Sequence, residues 1–163
     1  MLRSALVLGM LVVIGACSFS GTKGGKPGWK IYQEETDRPV PQVPLRAGSI
    51  ELRLTRVVLR REHTVLKTVN WGGWIRATVT SSDKLPAASL NGMFKLHGRS
   101  RKVYQAYSNP YNANHAWQSA GKPIYLPPNV PGELNIWASF DSSSDQVPDE
   151  LAALELSGVR LQL

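Results

Sequence analysis

Residues 50–55, Ile50-Glu51-Leu52-Arg53-Leu54-Thr55, decide how this chain folds. Apolar side chains fall at every second position, and charged or hydroxyl side chains fill the others. On an extended backbone that period places Ile50, Leu52 and Leu54 on one face, with Glu51, Arg53 and Thr55 on the opposite one. Such a strand buries one side and wets the other. Reading onward, Val57 and Leu59 take the opposite parity, which predicts a bulge near Arg56. Residues 63–69 read as a second strand, reached by a turn at Arg61-Glu62. Trp71-Gly72-Gly73-Trp74 reads as a turn, after which Ile75, Ala77 and Val79 point inward and Arg76, Thr78 and Thr80 outward.

The same period recurs to the end of the chain. Residues 90–96 and 101–107 read as a hairpin around His97-Gly98-Arg99-Ser100, followed by a polar loop over residues 108–123. Leu134, Ile136, Ala138 and Phe140 alternate with Glu133, Asn135, Trp137 and Ser139. After a loop over residues 141–149, Leu154 and Leu156 give way to Val159, Leu161 and Leu163. The parity switches at Ser157-Gly158, as at a glycine bulge. No stretch carries an amphipathic helix of normal length. The expectation is an all-β fold, a two-layer antiparallel sandwich of about seven strands over residues 48–163. A small closed barrel is the alternative.

Upstream, residues 17–47 read as a tether. Gly21, Gly24, Gly25, Pro27 and Gly28 are followed by Pro39, Pro41 and Pro44, residues that interrupt helix and interior strand alike. Trp29, Ile31 and Tyr32 break the polar run, so part of the tether is a candidate to dock on the domain. Residues 1–16 have the make-up of a secretion signal. Arg3 is the one charge, and the apolar run from Ala5 to Ile14 is far shorter than the roughly 20 residues a membrane span needs. Ile14-Gly15-Ala16-Cys17 resembles the lipobox of bacterial lipoproteins. That resemblance implies cleavage before Cys17, a diacylglycerol on its thiol and an acyl group on its new amino terminus. Two or more chains hold a protein stably on a membrane, whereas one holds it marginally. Ser18, in place of aspartate, resembles cargo of the outer membrane. Cys17 is the single cysteine of 163 residues, so the monomer has no disulfide and the fold rests on its hydrophobic core.

Removing the signal leaves roughly 147 residues, the size of one domain. The formal charge of +7 aids solubility and draws the chain weakly toward anionic envelope surfaces. Nucleic acid is not a partner expected of an exported lipoprotein.

The second half has a recognisable cadence. A strand ending in Tyr104 precedes a long polar loop, then Pro131-Gly132-Glu133, a strand running to Phe140-Asp141, Val147-Pro148-Asp149 and a terminal strand pair. Over residues 49–163 this resembles the immunoglobulin-like domains of unknown function found on bacterial lipoproteins and secreted antigens. The departure is at residues 97–100, where that family has an Asp-x-x-Gly turn. The resemblance implies architecture and envelope location, and transfers no catalytic residue.

The chemistry-bearing residues point away from catalysis. The histidines are His63, His97 and His115; there is no Gly-x-Ser-x-Gly elbow, and His97, in a turn, and His115, in the long loop, read as solvated. No His or Cys pair has metal-ligand spacing. Asp141, Asp145, Asp149 and Glu150 supply oxygen atoms without the loop of a calcium hand, and the same residues favour turns. No pair of acids stands out for glycoside hydrolysis. No cofactor is expected beyond the lipid on Cys17. The aromatic residues are the suggestive set: Trp71, Trp74, Tyr104, Tyr107, Tyr111, Trp117, Tyr125 and Trp137 cluster in the middle and later parts of the chain, with Tyr111 and Trp117 in the long loop and Trp137 on the outward parity of its strand. Such rings anchor protein partners or stack on sugars, or else pin a loop to the sheet. The functional expectation is a lipid-anchored, non-enzymatic envelope protein that binds another envelope protein through Tyr111, Trp117 and Trp137. The alternatives are a peptidoglycan- or polysaccharide-binding module and a small lipoprotein subunit of a secretion or envelope machine.

Overall fold

A computed structural model describes residues 30–64, 69–111, 116–119, 124–140 and 150–163. The described residues are almost all strand. In chain order they are β1 (Lys30–Arg38), β2 (Leu45–Ala47), β3 (Ile50–Thr64), β4 (Val69–Ser81), β5 (Leu85–Pro86), β6 (Phe94–Gly98), β7 (Val103–Gln105) and β8 (Tyr107–Tyr111). There follow β9 (Gln118–Ser119), β10 (Ile124–Leu126), β11 (Gly132–Phe140), β12 (Leu151–Leu156) and β13 (Val159–Gln162). One turn of 3-10 helix covers Ala87–Leu90.

All pairings are antiparallel. The larger sheet runs β1-β3-β4-β11-β8, with β2 also on β3; the second runs β13-β12-β6-β7. The two sheets turn their apolar faces to one core. Leu52, Val57, Ile75, Val79, Leu134 and Ile136 from the first meet Phe94, Leu96, Leu154 and Leu156 from the second, all but sealed from solvent. A small sheet, β5-β10-β9, adds Leu85 and Leu126 to that core.

The alternation that reads as strand is strand. Leu134, Ile136, Ala138 and Phe140 are all buried, and the bulge falls at Thr55, where the β3–β4 register shifts between Leu54 and Arg56. Three boundaries differ from the sequence reading. Strand β3 does not turn at Arg61-Glu62 but continues to Thr64, its end paired with β1 and β4. Polar side chains on both faces there reflect a strand that outruns its core.

Trp71-Gly72-Gly73-Trp74 is not a turn but the interior of β4, paired on both sides. The glycines mark close approach. A Cβ on Gly73 would lie 2.8 Å from Leu96 Cδ1 and Leu151 Cδ2, and one on Gly72 2.8 Å from the Ala138 carbonyl oxygen. At Ser157-Gly158 the chain reverses rather than bulging. Leu156 pairs with Val159, and the two turn residues have φ of 49° and 87°, the left-handed pair of a type I′ hairpin.

The tether reading is also corrected. Residues 30–47 belong to the larger sheet: β1 and β2 run antiparallel to β3, one after the other along the same edge. Pro39, Pro41 and Pro44 fall in the gap between them, where no ladder bond is needed. The sheet thus begins before residue 48. Strand β1 is exposed from Gln33 to Asp37 and is held by charge. Glu34 faces Arg61, Glu35 faces Arg60, and Asp37 meets Arg56 at 2.8 Å. Residues 1–29, with Cys17 and the stretch read as a lipobox, and residues 141–149, read as a loop, lie outside the described residues.

Candidate functional site

The outer face of the larger sheet carries the densest arrangement of recognition side chains. Register alone brings them together. Val58, Trp74, Trp137 and Tyr107 lie directly opposite one another across β3, β4, β11 and β8. Trp74 and Trp137 stack, with centroids 5.2 Å apart and planes 15° from parallel. Tyr107 tilts against Trp137 at 6.1 Å. From the other side, the Arg60 guanidinium lies 3.8 Å over the Trp74 ring, held also by Glu35. The result is a row of cation, indole, indole and phenol across four strands. Each such contact contributes on the order of 0.5–1.5 kcal/mol.

This row settles where the ring faces point. Both faces of Trp74 are covered, by Arg60 and Trp137, and both faces of Trp137 have a ring beside them. Tyr107 closes the row at the sheet edge and is 63% exposed. A cavity of about 160 Å³ flanks the indoles, lined by Arg60, Glu62, Asn70, Gly72, Trp74 and Ser139 among others. A second row runs beside the aromatic one. Arg56, Arg76, Asn135 and Asn109 are neighbours across the same strands, and the Arg76 guanidinium lies 4.2 Å over Tyr111.

The three rings singled out from the sequence have different fates. Trp137 is in the row. Tyr111 is half-buried under Arg76 on the same face. Trp117 is not a surface ring: it is 4% exposed, and its Nε1–H donates to the Glu133 carbonyl at 2.9 Å. It fills the space that Gly132 leaves open, since a Cβ there would sit 2.8 Å from Trp117 Nε1. An indole in a polar loop satisfies its one donor while burying its body, so Trp117 pins the loop to the sheet. Sequence reasoning counts Trp74 and Tyr107 in the aromatic cluster but not among the binding rings, and it passes over Arg60 and Arg76. The signal was present as outward parity at Arg76 and Trp137, but Trp74 sat in an apparent turn.

His97 is also corrected. Its expected place was a solvated turn; it lies in β6, buried, with Nε2 2.8 Å from Glu155 Oε2. An ionised carboxylate only accepts, so Nε2 carries the proton. Arg160 and Lys95 also donate to Glu155, at 3.0 and 3.3 Å. The Arg160 bond chiefly, with His97 and Lys95, outweighs burial and holds the Glu155 carboxyl down to about 2. A depressed folded value stabilises the fold above the unfolded value of 4.5, and that stability is lost as pH falls from there toward 2. Glu155→Gln therefore costs on the order of 1–2 kcal/mol at pH 7, after allowance for the exposed arms of Lys95 and Arg160. Urea unfolding of the two proteins at pH 7, 4 and 2.5 checks this. The difference shrinks with falling pH; a constant difference refutes the assignment. Among the described residues no group of three His, Cys, Asp or Glu side chains converges to hold a metal ion.

The class these features define is an all-β, antiparallel protein with an aromatic and arginine-rich outer sheet face. No protein-family model matches the chain, and no curated protein matches it. Among solved structures it is similar to a functionally unknown protein from Listeria monocytogenes EGD-e, at a TM-score of 0.46 and 8% identity, over 72% of this chain and 68% of that one.

Proposed function

We propose that this chain is a lipid-anchored, non-enzymatic protein of the bacterial envelope, on the outer membrane. Its immunoglobulin-like sandwich binds another envelope protein. The anchor rests on residues 1–17, with acyl groups on Cys17. The immunoglobulin-like reading rests on the residues named above for that family and on chain crossings between layers. The path passes from the larger sheet to the second before β6, returns between β7 and β8, and crosses again after β11. That pattern of returns is how sandwiches of this class are wound.

One observation carries the binding reading: the row Arg60, Trp74, Trp137 and Tyr107 on an outer sheet face, ending in an exposed phenol. Arginine and the large aromatics dominate the energetics of protein interfaces: the rings offer wide contact at low cost in side-chain entropy, and the guanidinium offers a planar fork of donors that also stacks. The same geometry supports protein over sugar. A sugar platform needs open aromatic faces; in this row the indoles of Trp74 and Trp137 have neighbours on their faces, and Tyr107 is the one ring left open.

Membranes provide the test. Intact mass of the mature chain reads the acyl groups on Cys17, and crosslinking in the same membranes reads the partner. Tyr107→Ala, which removes an exposed ring and no core contact, is expected to reduce the crosslinked complex at least fivefold at unchanged melting temperature. Equal crosslinking by the variant removes the face from consideration; a lipid-free chain removes the anchor.

A further inference from the structure

The second row on that face points to the chemistry of what binds there. Arg56 and Arg76 lie directly opposite each other on β3 and β4. Like charges in that relation repel and destabilise a sheet. A third cation, Arg60, closes the same notch, a space of about 30 Å³ lined also by Trp74 and Asn135. The ion pairs that answer this charge come from β1, while on the far side Glu133 stands opposite Tyr111. Strand β1 lies along β3 and sends Glu35 and Asp37 to Arg56 at 3.0 and 2.8 Å. On the far side, Arg76 has no ion pair among the described residues. Its guanidinium instead lies over Tyr111, which covers one flat face and leaves the in-plane N–H groups directed outward for an acceptor. Asn135 and Asn109 continue the row with amides that donate equally well.

We propose that the side of this row around Arg76 and Asn135 receives carboxylate side chains from an extended, acidic segment of the partner protein. This rests on the reading that the face binds protein, and it names what that protein presents. The molecule contains its own precedent. In β1, the run Glu35-Thr36-Asp37 is an extended segment whose alternate acids meet the arginines of β3. The partner segment repeats that chemistry on Arg76, offsetting the repulsion between Arg76 and Arg56. The neighbouring Tyr107 and Trp137 cover its apolar side chains. Charge at this row steers encounter and fixes register, so binding falls as salt rises.

The test uses the full chain in neutral detergent and a fluorescein-labelled peptide, (Glu-Thr)4, read by anisotropy. Inorganic phosphate, vesicles containing phosphatidylglycerol and a (Gln-Thr)4 peptide serve as competing probes. The expected result is saturable binding of the acidic peptide, weakened at least fivefold by Arg76→Gln and little changed by Arg101→Gln, which removes an exposed cation elsewhere. Raising salt to 0.5 M should abolish it. Arg76→Gln should keep the melting temperature of the parent, so that lost binding is not lost folding. Equal weakening by Arg101→Gln overturns the proposal as general charge attraction. Displacement by phosphate or vesicles with no specific peptide binding overturns it in favour of a phosphate-bearing ligand. Equal binding of (Gln-Thr)4 overturns the proposal while leaving the protein-binding reading intact. Binding of neither peptide also overturns it, and the Tyr107→Ala crosslinking result then decides that reading separately.

Discussion

Replacing Trp117 with alanine is expected to cost about 3–5 kcal/mol of stability, the cost of emptying a fully packed aromatic site. The sequence reading offers Trp117 two roles: a partner contact whose loss spares the fold, or a ring that pins the long loop to the sheet. The structure favours the second role, because the indole is buried in the space beside Gly132 and donates to the Glu133 carbonyl. Three contributions are lost together. They are the transfer of the indole from water, the contacts around the cavity left behind, and one hydrogen bond worth about 1 kcal/mol. Trp117→Phe keeps most of the first two and is expected to cost about half as much. Urea unfolding of both variants gives the answer. If Trp117→Ala unfolds like the parent yet loses crosslinking to the partner, Trp117 is a contact residue after all.

A second large effect is expected at Gly72. The added methyl of Gly72→Ala would lie 2.8 Å from the Ala138 carbonyl oxygen. That oxygen belongs to the backbone of β11, which pairs with β4 from Gly132↔Val79 to Phe140↔Trp71. Neither strand can retreat without opening the ladder around Ser139↔Gly72, so the strain has no cheap outlet. The expected cost is about 1–3 kcal/mol, the usual scale of overpacking. Gly73→Ala is the control. Its methyl meets the ends of two leucine side chains, Leu96 and Leu151, at the same 2.8 Å. Those can rotate away, so Gly73→Ala is expected to cost less than Gly72→Ala. Thermal melts of the pair check the order, and the reverse order refutes this account of Gly72.

Much of the architecture was legible in the chain because it depends on local chemistry. The alternation at residues 50–54 and 134–140 identified buried faces correctly, and the parity change after Leu54 located the bulge. What misled was glycine and polarity. Gly72-Gly73 and Ser157-Gly158 look alike in a sequence, since both offer conformational freedom. One is the interior of a strand pressed by its neighbours, and the other is a hairpin turn. The difference lies in what stands 3 Å away, which no local pattern records. The same holds for residues 30–47, where prolines suggest a tether but fall in a gap between two paired strands.

By itself the sequence determined that this protein is built of half-buried strands and which positions of the regular strands face the core. These follow from periodicity and composition, which act residue by residue. Only the tertiary structure decided what the outer face holds. Trp74 meets Trp137 and Arg56 stands opposite Arg76 there, as His97 meets Glu155 within the second sheet, because strand register sets them opposite or beside each other. Register is a property of two strands at once. It is selected by the whole core packing together, and a one-residue slip would keep every local pattern while dispersing each of these groups.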